Sequence, residues 1–517
     1  MADLEVPVLI VGGSLVGMST ALLLGYHGIR ALAVEHHHGT AIHPRAAMIN
    51  QRTMEIFRSV GIEQTVGEKS GEQFDQDGAI MAVETLAGKE LAWYIANLNE
   101  GVRDVSPCTR VFVTQSALEP LLQQRAVELG ADLRFATDMI SFEQDAGGVT
   151  AVIQDRETGR TQTVRARYMV AADGSHSSIR ERLGIRMLGR GVFSNSVNIY
   201  FRAPVAPLMR GRNLSVIMVV NPTLRGFFRI EKPYESGFLA VHTIGDPAHP
   251  ETNVSNGLTE ERCLEYVHAG LGTDEIPVKI ENVMHWQSTA DIAERFSQGR
   301  VFLVGDAAHV MPPYGGFGGN TGIHDAHNIA WKLALVLKGI AGPDLLATYE
   351  SERRPASAFT VEQAYSRYVT RAASYLGTGG MQPLEDDLNI ELGYCYGPGR
   401  THENPRDSKG RPGTRAPHVW LERNGRRIST LDLFGRNFVL LAGPEGSQWI
   451  GNAIEGVDVV RIGTDGIADP ENAFPGAYGI TLCGAVLVRP DGFVAWRGES
   501  AQDLPAAFAA VLSRGVI

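Results

Sequence analysis

Cysteine is scarce. Four in 517 residues, scattered at Cys108, Cys263, Cys395 and Cys483, offer no disulfide framework, no C-x-x-C pair and no metal-ligand spacing. A reduced, cytoplasmic chain is the plain reading. Long apolar runs are also missing, and nothing approaches the roughly 18 consecutive apolar residues of a membrane span. The run Val8–Val11 follows an acidic start, Met1 to Glu5, which is the wrong flank for a signal peptide. Positive charge is in deficit, with 47 Lys and Arg against 58 Asp and Glu and a net charge of −11. No basic stretch is interleaved with aromatics, so nucleic-acid binding has no electrostatic support. Internal repeats and low-complexity segments are absent too.

What is present is ordinary globular material. The chain is 44% hydrophobic and long enough for two to four domains. Its first 35 residues read strand, glycine turn, helix, strand. Val8–Val11 is a continuous apolar run suited to a parallel strand buried on both faces, with Pro7 at its start and the helix from Ser19 to Tyr26. From Ser194 to Ile244 four short strands alternate with turn residues, as in an antiparallel sheet. Arg300–Val304 reads as one more buried strand, with a helix from Gly322 to Lys338. The Gly- and Pro-rich segment 376–417 reads as a linker, and strands and a last helix resume after it.

Three motifs carry chemistry. Gly12-Gly13-Ser14-Leu15-Val16-Gly17 follows the first strand, and Glu35 closes the second. A dinucleotide needs that tight turn, helix N-terminal N–H groups for its pyrophosphate, and an acid for its ribose. Gly12 and Gly17 fill the first and third glycine places, while Ser14 stands at the second. Asp173-Gly174 and Gly305-Asp306 each follow an apolar strand, so each sets an acid at a strand's carboxyl end. Pro312-Pro313-Tyr314-Gly315-Gly316-Phe317-Gly318-Gly319-Asn320 then leads into a helix. Prolines stiffen it, and glycines free backbone N–H groups to meet developing negative charge.

In this order the motifs resemble the p-hydroxybenzoate-hydroxylase-like, FAD-dependent monooxygenases. The C-terminal stretches Arg411 to His418, Asp432 to Gly435 and Arg489 to Gly492 resemble the aromatic polyketide hydroxylase branch, which includes aklavinone and tetracenomycin hydroxylases. The resemblance implies an α/β fold in three parts. A Rossmann-like FAD domain takes residues 1–72, 101–180 and 280–395, and an antiparallel-sheet substrate domain takes 73–100 and 181–279. A thioredoxin-like domain takes 396–517. It implies non-covalent FAD, NADPH or NADH as co-substrate, O2, and hydroxylation of an aromatic, polyketide-type substrate by a flavin C4a-hydroperoxide. The alternatives are Baeyer–Villiger or ring-opening oxygenation, a simple phenol hydroxylase, and a non-catalytic FAD protein that sequesters an intermediate. The expected assembly is a monomer or homodimer.

The same resemblance assigns roles. Gly12, Ser14, Leu15 and Gly17 form the dinucleotide turn; Glu35 holds the adenosine ribose, Arg45 the pyrophosphate, and Gln115 also touches FAD. Asp173 and Gly174 serve FAD and NAD(P)H, Gly305 and Asp306 the ribityl chain. Pro313 and the N–H groups from Gly318 through Gly319 to Asn320 face the flavin. Each has a plain structural alternative: Arg45 as a partner of Glu35 or a helix C-cap, Gln115 as a helix-start residue, Asp306 as an N-cap. Asn198, Tyr200, Phe228, Tyr314 and Phe317 are the substrate-facing candidates. Tyr314, His242 and Pro313 are the catalytic candidates, none indispensable. His309 reads as structural. No metal is expected, because the adjacent side chains of His36-His37-His38 point apart.

Overall fold

The computed structural model describes residues 2–42, 48–242, 253–373, 376–377, 379–397, 399, 401–452, 454–464 and 466–513. Arg45 lies outside the described residues.

The first third runs β1 (Leu4–Val11), α1 (Leu15–Tyr26), β2 (Ala31–Val34), β3 (Met48–Ile49), α2 (Gln51–Ser59) and α3 (Glu63–Gln73). β4 (Ala79–Val83), β5 (Glu90–Ile95), β6 (Val111–Phe112), α4 (Gln115–Glu128) and β7 (Asp132–Arg134) follow. Then come β8 (Thr137–Gln144), β9 (Val149–Asp155), β10 (Thr161–Ala171) and α5 (Ser178–Arg182). The middle contains β11 (Met187–Arg202), α6 (Ala206–Met209), β12 (Leu214–Val220), β13 (Arg225–Glu231), β14 (Ser236–His242), α7 (Glu260–Leu271) and β15 (Lys279–Ala293). β16 (Ser297–Gln298), β17 (Val301–Leu303), β18 (His309–Val310), α8 (Phe317–Leu337), α9 (Thr348–Arg371) and α10 (Asp387–Leu392) complete this part.

The first sheet has the order β16-β17-β10-β1-β2-β7, with β17, β10, β1, β2 and β7 mutually parallel. Val8, Leu9 and Ile10 are fully buried, as a strand covered on both faces requires. Each such side chain contributes about 1.5–3 kcal/mol by leaving water. β1 starts at Leu4, so Pro7 is interior. It costs little there, because pairing with β2 begins only at Val8. α1 begins four residues before the expected Ser19 and is buried on nearly all sides. Gly28 ends it at φ +75°.

The second sheet, β18-β15-β11-β14-β13-β12-β4-β5, is antiparallel except for one parallel pair, β12 with β4. β15 pairs with β11 over nearly its whole length, so residues 280–293, assigned above to the FAD domain, belong to the middle sheet. One face of this sheet packs under α7 through Ile217, Phe228, Leu239 and Val267. The other face packs against α9, where Phe193 meets Tyr365 and Tyr368, and Met218 and Phe227 share the cluster with Tyr368.

The stretch 376–417 is no slack linker. α10 lies within it and buries Leu388, Ile390 and Leu392, and Glu391 pairs with Arg110 at 2.6 Å. Beyond it, β19 (Trp420–Arg423), β20 (Arg426–Ser429), β21 (Phe438–Ala442), β22 (Val457–Arg461) and β23 (Ile467–Ala468) precede α11 (Phe474–Tyr478). β24 (Ala485–Val488), β25 (Val494–Gly498) and α12 (Leu504–Val511) close the chain. Their main sheet is β22-β21-β24-β25. No helix among the described residues is long and apolar enough to cross a membrane.

Candidate active site

The motifs converge because β1, β2, β10 and β17 are parallel and end at the same edge of the sheet. β1 lies between β2 and β10, so the chain leaves it in both directions across the sheet; ligands bind at such a switch point. Gly12 turns out of β1 at φ +101°, and a Cβ there would stand 2.2 Å from the Ala172 carbonyl oxygen. A Cβ at Gly17 would stand 1.8 Å from the Gly12 carbonyl. Glycine at both places lets α1 press against the turn. Gly13 N donates to Glu35 Oε2 at 2.6 Å and His37 N to Oε1 at 2.9 Å. Glu35 is thereby fixed at the end of β2, where a ribose would come. Leu15 is core, 5% exposed, so only its backbone can serve the turn.

Ser14 is the N-cap residue of α1, yet its hydroxyl donates to Glu119 Oε1 at 2.6 Å instead of capping the helix. Gln115 Nε2 reaches Ser14 Oγ at 2.9 Å and Glu119 Oε1 at 2.7 Å. Ala41 N donates to Glu119 Oε2 at 2.6 Å. The fully buried Glu119 thus ties the turn, α4 and the loop after β2 together. Sequence reasoning missed it; the available signal was an acid one helical turn beyond Gln115. The three histidines diverge as expected, His36 to Asp138, His37 to Glu35 and His38 to Glu157.

Asp173 follows β10. Its Oδ2 accepts from Ile179 N at 3.2 Å, whereas Oδ1 is buried without a hydrogen-bond partner. Burial pushes its carboxyl above the ordinary range. Gly174 turns at φ +83° with open space around it. Asp306 is exposed in the 3-10 turn Gly305–Ala307, whose cap is Val304, so it is not an N-cap. A Cβ on Gly305 would lie 3.0 Å from Val16, which brings this turn against α1. His309 is wholly buried, with Nε2 2.7 Å from Asp325 Oδ2, and Arg353 Nε donates to Asp325 Oδ1 at 2.8 Å. The His309 Nε2 is thereby occupied within the fold.

α8 starts at Phe317, five residues before the expected Gly322, so Gly318 and Gly319 form its first turn. First-turn N–H groups have no intrahelical acceptor and carry the positive end of the helix dipole. Gly315 and Gly316 set up the entry at φ +105° and +66°. The Asn320 side chain is consumed internally. It accepts from Asn50 N at 3.0 Å and Thr53 Oγ1 at 2.7 Å, and donates to Met48 O at 2.9 Å and Gly316 O at 2.7 Å. Asn320 therefore braces the loop, and the backbone is what a cofactor would meet. Pro312 is buried and Pro313 exposed. Two helix N-termini, three strand-end acids and this backbone edge fit a dinucleotide with a reducible ring.

Beside this edge lies an aromatic cluster on the inner face of the middle sheet. Tyr314 Oη is 3.0 Å from His242 Nε2, and His242 Nδ1 is 2.8 Å from Ser196 Oγ. Burial lowers His242 to about 3 and pushes the Tyr314 phenol well up, so both are neutral. Phe227 packs against both, and Tyr368 stands 5.1 Å from Tyr314. Asn198 accepts from Trp286 Nε1 at 3.0 Å, and Tyr200 packs on Phe238. Asn198, Tyr200, His242 and Tyr314 thus share this face. Phe228 does not. Strand alternation turns it to the α7 side, where a Cβ on Gly270 would touch its ring, and its neighbour Phe227 takes the inner face. Phe317 also departs from expectation: it packs into α9 and α10 with Ala364 and Ile390.

A parallel α/β sheet with a dinucleotide turn, joined to an antiparallel sheet that presents an aromatic face, defines an FAD-binding oxidoreductase. Comparison with known proteins carries this further. Residues 5–364 match the FAD binding domain family and residues 409–515 the family described as aromatic-ring hydroxylase, C-terminal. The 4-methyl-5-nitrocatechol 5-monooxygenase of Burkholderia sp. is 51% identical, over 98% of this chain and 96% of that protein. Tetracenomycin A2 monooxygenase-dioxygenase of Streptomyces glaucescens is 40% identical over 99% of this chain and 98% of its own length. The ternary complex of aklavinone-11 hydroxylase with FAD and aklavinone superposes with a TM-score of 0.92 at 36% identity, covering 99% of this chain and 100% of that one. The chain belongs to the FAD-dependent aromatic-ring hydroxylases.

Among the described residues no three His, Cys, Asp or Glu side chains gather as a metal site.

Proposed function

We propose that this enzyme hydroxylates a phenolic aromatic ring, with FAD held non-covalently, NADPH or NADH as reductant and O2 as the oxygen source. The observation that carries the reading is the neutral, buried Tyr314–His242–Ser196 chain beside the first turn of α8. The flavin, when bound, supplies the redox chemistry and the activation of O2. The protein's own part is to bind, position and keep water out.

Glu35 and Asp306 would take the ribose and ribityl hydroxyls. The N–H groups at the starts of α1 and α8 would take the pyrophosphate and the ring's pyrimidine edge. Ser14 and Gln115, tied to Glu119, act by fixing the turn. Pro313 limits the space beside the ring. A phenol reacts faster with an electrophilic oxygen once ionised, and Tyr314 Oη, held 3.0 Å from the neutral His242 ring, is placed to hydrogen-bond the phenol oxygen and favour that form. Phe227, Phe238, Trp286 and Tyr368 supply the apolar walls.

The fused-ring substrates named for the tetracenomycin and aklavinone relatives support a polycyclic phenol. A single-ring catechol is the second reading, favoured by the higher identity to the nitrocatechol enzyme. The middle sheet supports a substrate domain built from residues 73–100 and 181–293, with the flavin domain formed by the flanking segments. The mixed sheet β22-β21-β24-β25 supports a thioredoxin-like appendage, with a structural role because Cys483 has no C-x-x-C partner. The test is NADPH oxidation by the purified yellow protein. Stimulation by an added phenol, with a product one oxygen heavier, supports the reading. Stimulation with hydrogen peroxide as the sole product refutes it.

A further inference from the structure

Arg229, on β13, is a buried cation beside the aromatic cluster. β13 alternates: Phe228 and Ile230 go to the α7 side, while Phe227 and Arg229 go to the inner face with His242. Arg229 is only 8% exposed. Its guanidinium lies over Phe112, 4.2 Å from the ring centroid, and near Phe74 at 5.2 Å. Nε and Nη2 are both buried without a hydrogen-bond partner. Glu231, two residues along the strand, is the acid that acts on it, and no ion pair joins them among the described residues. Burial lowers Arg229 to about 9, which leaves it cationic at neutral pH.

Aromatic faces attract the charge but offer nothing for two N–H vectors in the guanidinium plane. Leaving such donors unmade in an apolar setting is costly, and an apolar side chain would fill the same gap without that cost. Nε and Nη2 also form the side-on edge of the guanidinium, two parallel donors that match two oxygens of one planar anion. Phe238, the register partner of Arg229 on β14, packs on Phe227, which packs on Tyr314. Arg229 is therefore one step of about 7 Å along the strand from the Phe227 position beside the Tyr314–His242 pair.

We infer that Arg229 is the substrate's anion anchor, selecting aromatic rings that are ionised or carry an anionic group, such as an ionised nitrophenol, over neutral rings. This rests on the aromatic-hydroxylation reading and narrows its substrate class. The ring would lie between the anchor and Tyr314, with its charged oxygens on the guanidinium edge.

The test uses the full-length, FAD-loaded enzyme and two probes at mildly alkaline pH, 4-nitrocatechol as an anion and catechol as a neutral ring. Each is titrated while the flavin absorption is followed. The wild type should bind 4-nitrocatechol at least about tenfold more tightly than catechol. R229M, which keeps the packing on Phe112, should bring the two affinities within about twofold, through loss of 4-nitrocatechol binding alone. R229K should recover part of the preference. A wild type without preference overturns the anchor whether or not R229M retains its flavin. So does an R229M ratio equal to that of the wild type with R229M folded. If neither probe perturbs the flavin, the anchor as stated fails, and the aromatic-hydroxylation reading is judged separately by whether a fused-ring phenol stimulates NADPH oxidation.

Discussion

Asp306 sits exposed at the end of β17, one turn from α1, and is not spent on capping a helix. If it accepts from the ribityl hydroxyls, Asp306→Ala should weaken FAD binding on the order of tenfold to a hundredfold, read by flavin fluorescence after dialysis. Full flavin occupancy would remove that role. Tyr314 is a different case, because positioning and water exclusion carry most of the work. Tyr314→Phe should leave flavin reduction unchanged, lower hydroxylation about tenfold or less, and raise hydrogen peroxide release. Complete loss of hydroxylation with normal reduction would make the phenol indispensable. At this scale the sequence revealed residue types but not directions. Alternation put Phe227 and Phe228 on opposite faces, yet which one faces the Tyr314–His242 pair depended on where α7 packs, a long-range fact. Glu119 was invisible for the same reason: its partners Ser14 and Ala41 are remote in sequence.

Continuous apolar strands were legible almost to the residue, as with Arg300–Val304, found as β17 at Val301–Leu303, because burial on both faces leaves an unbroken apolar run. The start of α8 was not, because Gly318 and Gly319 are poor helix formers and read as loop. Tertiary bonds override that propensity, and Asn320 makes four of them. Asn320→Leu should therefore strand the Met48 carbonyl and Asn50 N–H and cost on the order of 1–3 kcal/mol for each group left buried. It should also loosen the flavin. Comparing thermal melts of the FAD-loaded and flavin-free variant separates the two effects, since stranded groups lower both melts whereas a loss confined to the FAD-loaded form reports weaker flavin binding alone.

At the scale of the whole molecule, the C-terminal motifs that pointed to the family also lock that unit onto the rest. Arg415 and Arg52 both pair with the buried Glu55, and Arg52 Nη2 donates to the Asp491 carbonyl at 2.6 Å. Burial works against the Glu55 carboxylate, but the two guanidiniums outweigh it and hold its pKa down. Glu55→Ala leaves two buried cations facing each other and should cost about 3–5 kcal/mol in denaturant unfolding. Acid should act through the buried histidines as well. Burial depresses His27, His242 and His327 from 6.5 to about 3. Between those values the unfolded chain binds more protons than the folded one, so stability present above pH 6.5 is lost as pH falls toward 3. A melting temperature flat over that range would contradict the neutral, buried state of the cluster.

With flavin bound at the ends of β1, β10 and β17, the inner face of the middle sheet would hold a phenolic ring for hydroxylation by one oxygen atom from O2. The most direct measurement is the mass of the product formed from a turned-over phenol under isotopically heavy O2 with NADPH. The account predicts one heavy oxygen atom in the hydroxylated ring. Product oxygen drawn from water, or heavy oxygen recovered only as hydrogen peroxide, would contradict it.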